Sequence, residues 1–117
     1  MQQLLLSEIY LAELGFYPQQ SGFGYLAFAI ALVAADPAEF YAGRLNIMAL
    51  IHEKYNVSVL SARRCMNYSI HSAWNAAENS ALRSIFHEDR KDYPPAMYEF
   101  ICRAAIEMNR GRIACGQ

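Results

Sequence analysis

Basic residues are missing from the first 42 positions of this chain. Residues 1–42 contain Glu8, Glu13, Asp36 and Glu39 but no Lys or Arg, a net charge of −4. All ten Lys and Arg residues lie in residues 43–117 against seven acidic ones, which gives +3 there and −1 for the whole. That near-neutral total is unhelpful for a nucleic-acid binder, although the basic part could still gather phosphate contacts. Cysteine is scarce as well. Cys65, Cys102 and Cys115 form an odd set with no CxxC spacing, which argues against a disulfide framework and fits buried or free thiols in a reducing cytosol.

Other absences narrow the chemistry. The sequence has no GxSxG or other nucleophile signature, and the GFG at 22–24 is too short for a phosphate-binding loop. His52, His71 and His87 lack the spacing of a metal site, and the carboxylates are scattered rather than paired. No catalytic residue, metal or cofactor is expected. The longest apolar run, Tyr25 to Ala35, has eleven residues, too few to span a bilayer. The N-terminus lacks a basic n-region and an AxA-like cleavage site, so a cytoplasmic location is expected.

What is present is a 117-residue chain that is 55% apolar, enough for one domain over 1–117 with its own core. No stretch alternates like a strand, so the expected fold is all-α, single and compact. A first helix is predicted over Gln2–Leu14, stopped by Gly15, and a loop over Phe16–Gly24 with Pro18, Gly22 and Gly24. The apolar run after it predicts a central helix buried on nearly every side. Asp36, Pro37 and Glu39 then form a helix-start signal for a third helix reaching Tyr55, with a break at Gly43. Leu45, Met48, Ile51 and Tyr55 share one face of it. A fourth helix is predicted over Ser58–Glu78, a short one over Ala81–Phe86, and a last from Pro94–Pro95 to Arg110, ended by Gly111.

The segment from Asn56 to Trp74, NVSVLSARRCMNYSIHSAW, carries the functional signal. A short helix, a tight turn at Asn56 and a longer helix capped by Ser58 is how a helix-turn-helix presents a recognition helix to the major groove. On a helical wheel Val59, Ala62, Met66, Ile70, Ala73, Trp74 and Ala77 gather on a core arc, while Ser61, Arg64, Tyr68, His71 and Asn75 gather opposite. Arg63 falls at the edge of the core arc, and Asn67 just outside it. Arg, Asn, Ser, Tyr and His can all bond to base edges or phosphates, Arg favouring guanine and Asn adenine.

These residues resemble a known family, the C-terminal effector domain of the stage zero sporulation protein A, the sporulation response regulator of endospore-forming Firmicutes. ELGFYPQQSGFGYLAFAI, from Glu13 to Ile30, is similar to the family's LG-type helix end and following G[YF]xYLxxAI helix. IHEKYNVS resembles its IAxKFNTT, SIHSAW its AIxxAW, SIF its SLF and PAMYEFI its PxxSEFI, in the same order along the chain from Glu13 to Ile101. The resemblance implies an all-α fold of roughly six helices containing a helix-turn-helix, and a cytoplasmic transcription factor that binds short DNA boxes, often as tandem copies. Arg64 matches a family arginine in the recognition helix. Ser61 stands where the family has Arg, Arg63 where it has Glu, Asn67 where it has Arg, Tyr68 where it has His, and His52 where it has Ala. The chain is expected to act without the family's phosphorylatable receiver.

Two readings follow. In the first, the chain is a DNA-binding regulator, with Ser61, Arg64, Asn67 and Tyr68, and Arg63 after them, on the bases, Lys54, Arg44 and Arg83 on phosphates, and Ser58 and His71 also among the DNA-binding residues. Few phosphates are neutralised per protomer, so a homodimer or tandem assembly on double-stranded DNA is expected. In the second, a degenerate helix-turn-helix has lost operator binding and contacts a protein partner through the same face, since exposed aromatic groups and Arg anchor interfaces well. For Arg63–Arg64 alone, a solvated helix surface is the plainer reading.

Overall fold

A computed structural model describes residues 2–76, 80–86 and 93–114, in seven helices and, among those residues, no strand. They are α1 (Gln2–Glu13), α2 (Ser21–Ala35), α3 (Pro37–Tyr41), α4 (Ile47–Tyr55), α5 (Val59–Trp74), α6 (Ser80–Arg83) and α7 (Met97–Ala114). The all-α expectation holds.

α2 is the hub. It packs against α1, α3, α4, α5 and α7 and buries residues on all sides, from Phe23 through Leu26, Phe28 and Ile30 to Val33. A helix with one polar face could not sit here, which is why its sequence is apolar nearly all round. Leu11 of α1, Ile51 of α4, Met66 and Ile70 of α5 and Phe100 and Ile101 of α7 close the same core from outside, each fully buried. Polar groups fasten the hub. The buried Ser7 hydroxyl lies 2.7 Å from the Ala27 carbonyl and 2.8 Å from that of Leu4, and shares its one proton between them. Asn109 Nδ2 of α7 donates to the Ala34 carbonyl at 3.2 Å and satisfies a C-terminal acceptor of α2.

Several boundaries differ from those predicted. α1 ends where expected, with Gly15 left-handed at φ 91°. The stretch read as a loop to Gly24 already turns helical at Ser21, because Gly22 serves close packing rather than a turn. The third helix is indeed broken: Gly43 (φ 79°) ends α3, and Asn46 starts α4 by accepting the Ala49 N–H at 3.1 Å. The Asp36 cap of α3 is present, with the Glu39 N–H donating to Asp36 Oδ1 at 3.3 Å. α5 stops at Trp74, short of Glu78; Ala77 and Glu78 lie outside the described residues, as does His87. α7 starts at Met97, where Glu99 reaches back to the Ala96 N–H at 3.2 Å, and it runs past Gly111 instead of ending there.

Candidate nucleic-acid interface

α4 and α5 are packed on each other and joined by Asn56, Val57 and Ser58. Asn56 takes the left-handed conformation (φ 53°, ψ 49°), and its N–H donates to the His52 carbonyl at 2.9 Å. A short amide side chain tolerates that backbone better than most others. Ser58 then accepts the Ser61 N–H at 3.1 Å and so caps α5. The His52 ring adds a cross-brace, its Nδ1 lying 2.8 Å from the Val57 carbonyl, so in that bond Nδ1 carries the proton. His52 stays exposed.

α5 divides as the wheel predicts, with two exceptions. Ala62, Met66, Ile70, Ala73 and Trp74 are buried, and Ser61, Arg63, Arg64, Asn67, Tyr68, His71 and Asn75 are exposed. Val59, expected in the core, is 41% exposed. As the first helical residue its side chain leans back past the packed part of the helix. Ser69, a polar residue absent from the predicted core, is buried because its hydroxyl donates to Gln20 Oε1 at 2.9 Å. Gln20 Nε2 lies 3.4 Å from the Ser72 hydroxyl, so one side chain ties two positions of α5 to the start of α2. The helix is thereby fixed in rotation, and its polar strip faces solvent over roughly 20 Å at the usual helical rise.

The cations differ in what holds them. Arg64 is exposed, with no acidic partner among the described residues. Arg63 sets its guanidinium carbon 5.8 Å from the Tyr98 ring centre of α7. Tyr98 gave no signal in the sequence, since only tertiary packing brings it beside α5. Lys54 places its ammonium 5.3 Å from the Phe28 ring centre and 5.5 Å from that of Tyr55. Arg44 pairs with Glu39 at 2.7 Å, which offsets its charge locally. Arg83, expected at phosphates, instead stacks 4.6 Å from the Trp74 ring centre and donates to the Trp74 carbonyl at 3.0 Å, pinning α6 to the end of α5.

Among the described residues no group of three His, Cys, Asp or Glu side chains could hold a metal ion. Nor is any described helix long and apolar enough to cross a membrane. Cys65 and Cys102 are half-buried free thiols. No protein-family model and no curated protein matches this chain.

Proposed function

We propose that this domain binds double-stranded DNA as a transcriptional regulator of the sporulation-regulator effector type, with α5 in the major groove. The observation that carries the reading is the uncovered strip of α5. Ser61, Arg64, Asn67, Tyr68 and His71 all face solvent from a helix that a capped three-residue turn and the Gln20 bridge hold in place. Arg64 and Asn67 supply the donors best suited to guanine and adenine edges, with Arg63 beside them and Ser58 at the helix start. Lys54 and, by exchanging Glu39 for a phosphate, Arg44 provide backbone contacts. With two or three phosphates neutralised per protomer, affinity falls with salt at a log–log slope of roughly −2 to −3, and useful occupancy requires a dimer or tandem copies.

A titration of the protein against random and candidate-box duplexes at two salt concentrations tests this, alongside the Arg63→Ala/Arg64→Ala double variant. Salt-sensitive binding that the double variant loses supports the reading. Absence of binding at low salt, or binding indifferent to the double change, sinks it.

A second reading has its own support. On the same helix Tyr68 is 66% and Leu60 59% exposed, and Arg44 is already neutralised. An exposed aromatic–aliphatic pair beside Arg63 and Arg64 suits a protein partner, in the manner of a helix-turn-helix that has given up its operator. That reading expects no duplex binding and a partner whose affinity drops on Tyr68→Ala.

A further inference from the structure

The first helix leaves apolar surface uncovered. Leu5 is 55% and Ile9 47% exposed, and with the exposed Ala12 they stand one turn apart along one face of α1. This stripe runs into an open groove of about 740 Å³ between α1 and the start of α2. Glu8, Ile9 and Ala12 form one wall, while Phe23, Tyr25 and Tyr55 contribute aromatic surface to the other. The Tyr25 and Tyr55 rings meet edge to face at 5.1 Å, and the Tyr55 hydroxyl is tied to the Gly24 carbonyl at 3.3 Å. The groove is thus built on fixed elements.

Its charge is one-sided. Glu8 is the only ionisable acid or base among the lining residues apart from the two tyrosines, and no Lys or Arg pairs with it among the described residues. Residues 1–42 contain no basic residue at all, and Glu13, exposed one residue after the lining Ala12, adds to the acidic character of α1. The Tyr55 phenol is raised above its usual pKa by burial first and by the Glu8 charge second, so the carboxylate acts electrostatically on the aromatic wall. Lys54, which sits over Tyr55, is not among the lining residues.

We propose that this groove docks an amphipathic peptide segment of a partner protein that presents a Lys or Arg beside apolar residues. The cation lies against Glu8 in a charge-assisted hydrogen bond with the Tyr25 ring nearby, Lys54 already sitting over Tyr55. The apolar residues cover Leu5, Ile9 and Ala12, as when an amphipathic helix lays its apolar side into a groove. Charge complementarity selects this occupant over DNA, which an acidic groove repels. It also disfavours a second copy docking through the same face, which would set Glu8 and Glu13 of each near those of the other. No residue of α5 lines the groove, and the lining residue that reaches α5 is Gln20, so the variants that separate peptide from duplex binding are placed at Glu8 and Ile9.

Fluorescence polarisation with labelled amphipathic Leu/Lys, Leu/Glu and Ser/Lys peptides tests the assignment. The Leu/Lys peptide should bind at least about tenfold more tightly than either of the others, a difference of about 1.4 kcal/mol. Glu8→Gln and Ile9→Ser should each weaken it about five- to tenfold, with unchanged circular dichroism and unchanged duplex binding. Glu53→Gln, an exposed carboxylate of α4, should leave it unaltered. Equal binding of the Leu/Lys and Leu/Glu peptides overturns the proposal, as does equal weakening by Glu8→Gln and Glu53→Gln. Self-association in sedimentation velocity that Ile9→Ser abolishes would place a second copy there instead, and would also overturn it.

Discussion

Gly22 of α2 lies directly against the backbone carbonyl of Cys65 in α5. A Cβ at Gly22 would overlap that carbonyl oxygen and stand 2.7 Å from its carbon. The obstacle is main chain, which cannot rotate aside as a side-chain tip does. Gly22→Ala should therefore push α5 off α2 and cost roughly 1–3 kcal/mol, as overpacking does. Gly111, also helical but with nothing within 4 Å of its added Cβ, is the contrast. Gly111→Ala should gain up to about 1 kcal/mol from helix propensity. Urea denaturation of both variants reads the difference in sign.

The turn between α4 and α5 makes a second prediction. Ser58→Ala removes the acceptor for the Ser61 N–H and should cost about 1 kcal/mol. Asn56→Gly keeps the left-handed backbone accessible and should be nearly neutral, whereas Asn56→Val should cost roughly 1–2 kcal/mol. Thermal midpoints of the three variants, measured side by side, test the order.

Arg63 and Tyr98 yield a third. If α5 reads DNA, the Tyr98 ring restrains Arg63 before the duplex arrives. Tyr98→Leu should then weaken duplex binding by about two- to fivefold, corresponding to the 0.5–1 kcal/mol of an exposed cation–π contact. On an Arg63→Ala background the same change should do nothing further. Additive losses in this double-mutant cycle would mean that the ring does not act through Arg63.

A fourth concerns alkaline pH. Tyr10 is pushed up to about 12 by burial first, then by Glu107 and Glu13, with Arg103 opposing. Its hydroxyl is buried without a hydrogen-bond partner among the described residues. The folded protein holds this proton after the unfolded chain has released its own near 10. Stability from this group is thus complete below pH 10 and declines as pH rises towards 12. Tyr10→Phe should flatten that part of the decline and leave stability near pH 7 equal or slightly higher, since it deletes an unpaired polar group. Tyr41 and Tyr55, also raised chiefly by burial, should keep a residual slope. Denaturation midpoints from pH 8 to 11 check the sign.

Periodicity made the helices and the face of α5 legible. Met66, Ile70 and Trp74 are spaced for one arc, and burial follows that spacing because α2 covers a single side of α5. Glycine was the weak letter. Gly22 and Gly111 look like breakers in one dimension, yet one permits a close helix crossing and the other lies inside the last turn of α7 with open space beside it. Partner-dependent roles were hidden for the same reason. Nothing near Ser69 in sequence announces Gln20, nothing near Arg83 announces a return onto Trp74, and the sequence shows Glu39 only as part of a helix cap, not as the partner of Arg44. The candidate strip was readable because it belongs to one helix, whereas the α1 groove draws its walls from three segments.

The anchored side of α5 and its open side rely on separate partners. Met66, Ser69 and Ile70 answer to the core and to Gln20, while Ser61, Arg64, Tyr68 and His71 are exposed and pack into no core among the described residues. Exchanges on the outer set are therefore nearly free of folding cost, and the scaffold is indifferent to which alphabet is written there. A lineage could retarget such a domain by a handful of surface changes, without ever passing through an unstable ancestor.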